Sequence, residues 1–327
     1  MTSHDNATLI EIHCPRICGR MFLVDETQNP TGSLKGRVAA YMINRAEQRG
    51  LLSSGHTIVD CTSGNNGIAI AYESMLRGYK CITVVSQDID ESKAMQMRKF
   101  GASVVMVKTP PGIDATSLMV LLRAEAESIR RGRQDVHFLN QADNPDNADA
   151  YSELGESIAS QINHIRLFVG IVGTGGSLCG IGRSVCKLQP TCEVVAACSD
   201  GETLFDHRKL TLLNLVRLFR PSPLVPKNID YSTISFHRTV TLKQAVATCR
   251  VLNRHGIAIG LLSSSALYAA LVLLHECPTN NGAAVSILGD SNKYVCETVC
   301  DDAWVKRVGL LDLDIEDRLE YWTDLDA

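Results

Sequence analysis

Three short segments of this 327-residue chain gather residues that can do chemistry. The first is Asn29-Pro30-Thr31-Gly32-Ser33-Leu34-Lys35-Gly36-Arg37, with its lysine at the start of a helix-like stretch. The second is Thr62-Ser63-Gly64-Asn65-Asn66-Gly67, and the third is Gly173-Thr174-Gly175-Gly176-Ser177. Hydroxyls, carboxamides and backbone N–H groups can hold a carboxylate or a phosphate, and glycine lets the chain approach an anion closely. A lysine amine removed from water has a lowered pKa and can act as nucleophile and base. A cation at a helix start opposes the helix dipole, so Lys35 in that place asks for a functional reason.

The surrounding elements are of one kind. Short apolar runs at Thr57–Asp60, Cys81–Val85, Ser103–Val107, Arg166–Val172 and Glu193–Ala197 read as strands. They alternate with helix patterns over Asn66–Arg77, Ser92–Phe100, Ser117–Arg131 and Ser177–Lys187. Such alternation predicts βαβ units and parallel sheets, whose strands are buried on both faces. The expected fold class is therefore α/β. The second and third segments fall where a strand ends and a helix begins, the place where open α/β sheets bind ligands. The pattern comes in two blocks, with the polar stretch Asn140–Asp149 as the crossing between lobes. The proline-bearing stretch Arg217–Asp230 predicts an ordered loop, and the acidic tail from Asp312 a solvated terminal helix.

Composition narrows the classes. The chain has 32 Lys and Arg against 36 Asp and Glu, a balance that disfavours nucleic-acid binding. Its longest uncharged apolar run, Ala266–Leu274, is under half of the roughly 20 residues that span a bilayer. The opening residues lack a basic start followed by an apolar run, so the expected location is cytoplasmic. There the 12 cysteines would stay reduced and behave as small hydrophobes. The pairs Cys14 with Cys18 and Cys296 with Cys300 match zinc patterns loosely, and no metal is expected. The third segment is not a dinucleotide fingerprint, because Leu178 stands where its third glycine would fall. A short turn of this kind fits one terminal phosphate, or is simply a tight turn that binds nothing.

In their order and spacing the three motifs resemble fold-type II pyridoxal-phosphate enzymes, the cysteine synthase and cystathionine β-synthase group. Members read close to NPTGSxKDR, TSGNTG, GTGGT and a late DSGxxY. The last corresponds here to Asp290–Tyr294, and Glu26 and Gln141-x-x-Asn144-Pro145 also match. The resemblance implies a tryptophan synthase β-like fold with two open, twisted parallel sheets and helices on both faces. It implies a smaller mobile lobe at 35–145 that binds the substrate carboxylate. The larger lobe would be 1–34 with 146–327, holding the cofactor phosphate. Pyridoxal 5'-phosphate would be the cofactor, linked as a Schiff base to Lys35, the catalytic residue. Gly173, Thr174, Gly175, Gly176 and Ser177 would hold its phosphate, and Asn65 its ring oxygen. Thr62, Ser63, Gly64, Asn66 and Gln141 would hold the substrate α-carboxylate. The serine that meets the ring nitrogen aligns with Ser263 when the following helix is matched, and with Leu262 when Gly260 is matched; Ser263 is preferred. A homodimer is implied as well.

Several positions depart from the pattern. Gly36 replaces an aspartate, Asn66 a threonine, and Ala142 a phenylalanine whose loss should widen the pocket. Leu218–Pro223 replaces a glycine-rich stretch, and nearby Arg217 and Arg220 could meet an anionic leaving group or an acidic second substrate, or be merely structural. The implied activity is β-replacement on O-acetylserine, O-phosphoserine or cysteine through an aminoacrylate, with an amino acid such as glutamate as a candidate nucleophile. The run DSNKYVCETVCDDAWV points softly to the branch that makes diaminopropionate precursors or degrades cysteine. Alternatives are a cysteine desulfhydrase or other β-elimination lyase, a serine or threonine dehydratase, and a non-catalytic homologue that only binds the cofactor. The dehydratase pattern is a poor match, and an intact Lys35 argues against the last. The length fits a bare catalytic core.

Overall fold

The buried apolar runs assemble into two sheets. The computed structural model describes residues 7–62, 64–110, 113, 115–199, 227–277 and 282–325. Ser63, Arg217, Arg220 and the Leu218–Pro223 stretch lie outside the described residues.

One sheet has six strands, ordered β1 (Leu9–Ile12), β2 (Arg20–Asp25), β10 (Ala283–Leu288), β7 (Ile165–Ile171), β8 (Glu193–Ser199) and β9 (Phe236–Val240). Every neighbouring pair is parallel except β1 with β2. The other sheet has four parallel strands, ordered β5 (Ser103–Val107), β4 (Lys80–Ser86), β3 (Thr57–Cys61) and β6 (Val136–Phe138). The earliest strands thus sit in the sheet built mainly from the second half of the chain. Parallel β2 and β10 end side by side, Asp25 opposite Leu288. The turns that follow them therefore meet: Ser33 bridges Asp290, and Leu34 N–H donates to the Gly289 carbonyl at 3.1 Å.

Each sheet is covered on both faces. A shared core, with Val24, Ile43, Ile58, Ile68, Phe168 and Ile181, brings in α1 (Lys35–Gln48), α2 (Asn65–Arg77) and α7 (Gly176–Leu188). The far face of the six-stranded sheet packs Leu23, Leu167 and Val195 against α8 (Leu242–Arg254) and α9 (Leu261–Glu276). The far face of the other sheet packs Val59 and Val84 against Leu118 and Leu122 of α4 (Ala115–Arg130). Each such aliphatic side chain contributes about 1.5–3 kcal/mol when fully buried. The apolar run Ala266–Leu274 is explained by α9, which is buried almost all round. No helix among the described residues is long and apolar enough to cross a membrane.

The acidic tail differs from its expectation. Its helix α11 (Leu313–Trp322) docks through Ile315, Leu319 and Trp322. Glu316, only 2% exposed, bonds Arg250 Nε at 2.6 Å and Arg254 Nη1 at 2.7 Å. The apolar stripe outweighs the acidic composition, and two arginines neutralise the one buried carboxylate.

Candidate active site

Lys35 opens α1 at the tip of a loop braced by its own side chains. Asn29 Nδ2 donates to the carbonyls of Glu26 and Ser33, both at 2.8 Å. Thr31 donates through its hydroxyl to Asn29 Oδ1 at 2.5 Å. Arg37 forks onto Glu26 at 2.7 and 3.1 Å, which fixes the first turn of the helix. Burial lowers the Lys35 ammonium to about 8. A Cβ at position 36 would lie 3.0 Å from Asn29 Oδ1 and 3.1 Å from Thr31 Oγ1, and since the related pattern keeps that asparagine and threonine beside its aspartate, nothing in the structure explains the glycine.

The second segment connects β3 to α2. Thr62 Oγ1 accepts from the N–H groups of Gly64 and Gly67 at 3.0 and 3.2 Å, closing the turn. Asn65 stands first in α2, and its Oδ1 is buried without a partner. Asn66 faces inward, with Nδ2 3.2 Å from Asp60 Oδ2. Asp60 is 1% exposed and also accepts from the N–H groups of Cys61 and Gln141. Burial pushes its carboxyl up to about 7, against the pull of these hydrogen bonds. Gln141 is buried too, and its Nε2 has no partner.

The third segment connects β7 to α7. Gly175 takes φ +83°, in the left-handed region that favours glycine, and a Cβ there would lie 2.5 Å from Ile229 Cγ1. Gly176 begins α7 against Asn147. The first N–H groups of that helix have no side-chain cap, so they and the dipole present a ready anion site. Gly173 is exposed, and Thr174 and Ser177 are half-buried.

Two asparagines join these segments. Asn147, in α5 (Asp146–Asp149), is fully buried and donates to the Gln141 carbonyl at 2.8 Å and to Thr174 Oγ1 at 2.9 Å. Asn228 donates to the carbonyls of Gln141 and Ala142 at 3.1 and 2.8 Å. Ser263 lies on the other side, in the first turn of α9. Its hydroxyl donates to Asp290 Oδ1 and accepts from the N–H groups of Gly289 and Asp290 at 2.9 and 3.2 Å. Burial raises the Asp290 carboxyl, while these hydrogen bonds and Lys93 oppose the rise. Leu262, the other candidate for that place, is 41% exposed.

Several of the sequence-predicted residues within the described part are drawn together in separate hydrogen-bonded groups. The Lys35 loop meets Ser263 through Gly289 and Asp290, and Gln141 meets Thr174 through Asn147. Asp60, Asn147, Asn228 and Lys93, whose side chain lies against Gly64, were not foreseen, and Asp290 was noted only as the start of the late motif. The asparagines and aspartates stand beside the motifs, but their partners are distant in sequence.

The site fits the implied cofactor. An anion-binding helix start, a desolvated lysine and an unpartnered Asn65 oxygen are what a phosphate, an aldehyde and a ring hydroxyl require. A six-stranded sheet that is parallel except for β1 and a parallel four-stranded sheet, each contributing motifs to the site, match a fold-type II pyridoxal-phosphate enzyme. Residues 5–289 match the family described as pyridoxal-phosphate dependent enzymes. A protein of Sinorhizobium fredii, provisionally named a cysteine synthase, is 30% identical over 316 residues, covering 96% of this chain and 94% of its own. Cysteine synthase A of Escherichia coli is 26% identical, covering 88% and 91%. Cystathionine β-synthase of Apis mellifera is 28% identical, and the chain spans only 59% of its length. A hydrogen sulfide-producing enzyme of Fusobacterium nucleatum shares the fold, with TM-score 0.78, 23% identity and coverage of 89% and 97%. The chain belongs to the pyridoxal-phosphate dependent enzymes, in their cysteine synthase family, and pyridoxal 5'-phosphate is its cofactor.

Proposed function

We propose that the protein catalyses β-replacement on an amino acid that carries a leaving group on Cβ. O-acetylserine, O-phosphoserine and cysteine are the candidates, and an amino acid such as glutamate is a candidate nucleophile. The observation that carries this reading is Lys35, which opens α1 on a side-chain-braced loop with its ammonium lowered by burial to about 8, together with the left-handed Gly175 turn that leaves the start of α7 without a side-chain cap. The cofactor, when bound, supplies an electron sink for the negative charge left on Cα. Gly173–Ser177 would hold its phosphate on the N–H groups of α7, and Asn65 would turn its free Oδ1 to the ring hydroxyl. Thr62, Ser63, Gly64, Asn66 and Gln141 would hold the substrate carboxylate, with Gln141 Nε2 as the donor that still lacks a partner. Lys35, released, would take the Cα proton through Nζ and return it later. Ser263 would face the ring nitrogen if its hydroxyl turns from Asp290. Arg217 and Arg220 would meet the anionic part of the second substrate. The lobe at 35–145 would close on the remainder, 1–34 with 146–327, and exclude water. We further propose a homodimer and a cytoplasmic setting, the latter supported by 12 cysteines that are all free thiols.

The test is to incubate the holoenzyme with each candidate substrate, with and without glutamate or sulfide, and to identify products by mass spectrometry. A new Cβ–N or Cβ–S amino acid that Lys35→Ala cannot make is expected. Pyruvate and ammonia alone, whatever nucleophile is added, would replace this reading with β-elimination.

A further inference from the structure

We infer that Lys93 is a second cation of the site, which holds the α-carboxylate of the amino-acid substrate at the start of α2. The inference rests on the function proposed above and adds a residue to it. Lys93 lies in the first turn of α3 (Glu91–Lys99), whose N-cap Asp90 accepts from Ser92 N–H at 2.9 Å. A lysine in a first turn opposes the dipole of its own helix. Here the side chain runs across Gly64. A Cβ on Gly64 would lie 2.9 Å from Lys93 Cδ and 3.2 Å from its Nζ. The absence of a side chain at position 64 therefore gives the lysine its path to the Thr62–Gly67 turn. The ammonium lies 4.8 Å from the centre of the Tyr294 ring, a contact that orients it.

What the ammonium lacks is a counter-charge at contact distance. Among the described residues no carboxylate oxygen lies within 4.0 Å of Nζ. Asp90 and Asp290 attract it from farther away, and Asp290 already serves Ser263. Desolvation lowers the lysine, as expected of a cation short of partners. The lysine is half-buried, so a negative group beside it would offset a partial loss of hydration. Gln141 Nε2 is a buried donor without a partner, and the Gln141 backbone N–H bonds the same Asp60 carboxylate as Asn66 in the first turn of α2. A carboxylate seated at that turn would meet the ammonium of Lys93 and offer an acceptor to Gln141.

The position of Lys93 is also tied to the other sheet. Tyr294 donates to Gln96 Oε1 at 2.5 Å, and Lys293 Nζ donates to the same oxygen at 2.9 Å. The ring that orients Lys93 is thus held against α3 itself. Lys93 therefore couples the turn that receives the carboxylate to the segment after β10.

The test uses L-alanine, which has the carboxylate but no leaving group, and L-alaninamide, which lacks the carboxylate. Binding to the holoenzyme is read at equilibrium from the visible spectrum of the cofactor. Lys93→Gln and Lys93→Met should weaken L-alanine at least about tenfold, and Lys93→Arg by no more than about threefold. L-alaninamide should bind wild type and Lys93→Gln alike. Steady-state assays should show the loss in KM, with kcat kept within about threefold. Whichever of the Gln and Met variants keeps wild-type cofactor content and melting midpoint carries the result. If such a variant binds L-alanine as wild type does, while wild type still prefers L-alanine to its amide, the role of Lys93 is refuted. If wild type answers no amino acid at all, the proposed function fails first.

Discussion

Gly176→Ala is a small change with a large expected cost. The new methyl would lie 2.0 Å from Asn147 Oδ1 and 2.5 Å from its Cγ. Asn147 cannot swing aside freely, because it is fully buried and its Nδ2 is pinned to the Gln141 carbonyl and Thr174 Oγ1. Two responses are open. The side chain can rotate and abandon both hydrogen bonds, each group left unpaired costing about 1–3 kcal/mol. Alternatively, α7 can shift, and overpacking of that kind costs about 1–3 kcal/mol. Against this, alanine improves on glycine in a helix by up to about 1 kcal/mol. The balance is a loss of about 2–4 kcal/mol, a large part of the 5–15 kcal/mol of a typical fold. If Gly173–Ser177 holds the cofactor phosphate as proposed, cofactor affinity should fall as well, since Thr174 and Gly176 both belong to that turn. The assay is urea unfolding of the apoprotein, together with cofactor titration. The double variant Gly176→Ala with Asn147→Ala removes the obstacle and should be less destabilised than the sum of its parts by at least about 1 kcal/mol. Strict additivity, or a Gly176→Ala protein within about 0.5 kcal/mol of wild type, would refute the packing argument.

Lys35→Ala should leave the fold intact, abolish covalent retention of cofactor on a denaturing column, and remove turnover. Uptake of pyridoxal 5'-phosphate by the apoprotein needs the neutral amine, so its rate should climb with pH and level off above about 8; a rise that continues to the ordinary lysine range would contradict the burial of Lys35. For Asp60, the raised folded value means that the folded chain keeps a proton the unfolded chain has already released, from about pH 4 upward to about 7. Its contribution to stability therefore falls as pH rises through that window. Asp60→Asn should gain on wild type from about pH 4 to about pH 7 in urea unfolding, and a constant difference would show that Asp60 does not titrate there.

Much of the fold was legible because parallel strands buried on both faces print as continuous apolar runs. Ser103–Val107 was read with its observed ends, and Thr57–Asp60 missed only Cys61. The helix read at Ser117–Arg131 runs from Ala115 to Arg130. Other elements carry weaker print. Strand β6 has three residues, too few to show a period. Insertion of β10 between β2 and β7 is a pairing across most of the chain, which no local pattern encodes. The site was legible where motif residues act through their own turn, as Gly175 does with its positive φ. It was not legible where a side chain acts on a distant partner. Thus Asn147, Asn228 and Asp60 looked like ordinary polar residues of a turn or strand end. The resemblance prefers Ser263 to Leu262 for the ring nitrogen, and the two differ in burial, with Ser263 at 4% exposure and Leu262 at 41%.

The wiring around Gln141 explains why its free donor can persist. The Gln141 carbonyl accepts from both Asn147 and Asn228, and its N–H points to Asp60. The backbone is held on three sides, so the side chain cannot relax by moving the strand end that carries it. A buried donor left unpaired costs about 1–3 kcal/mol in the free protein. That cost disappears when an acceptor arrives, so it adds to the affinity for whatever brings the oxygen. The same reasoning covers Asn65 Oδ1, which is buried without a partner and held at the start of α2. In the function proposed above, Asn65 Oδ1 would meet the ring hydroxyl of the cofactor and Gln141 Nε2 the substrate carboxylate, so each partner would recover one of these costs on binding.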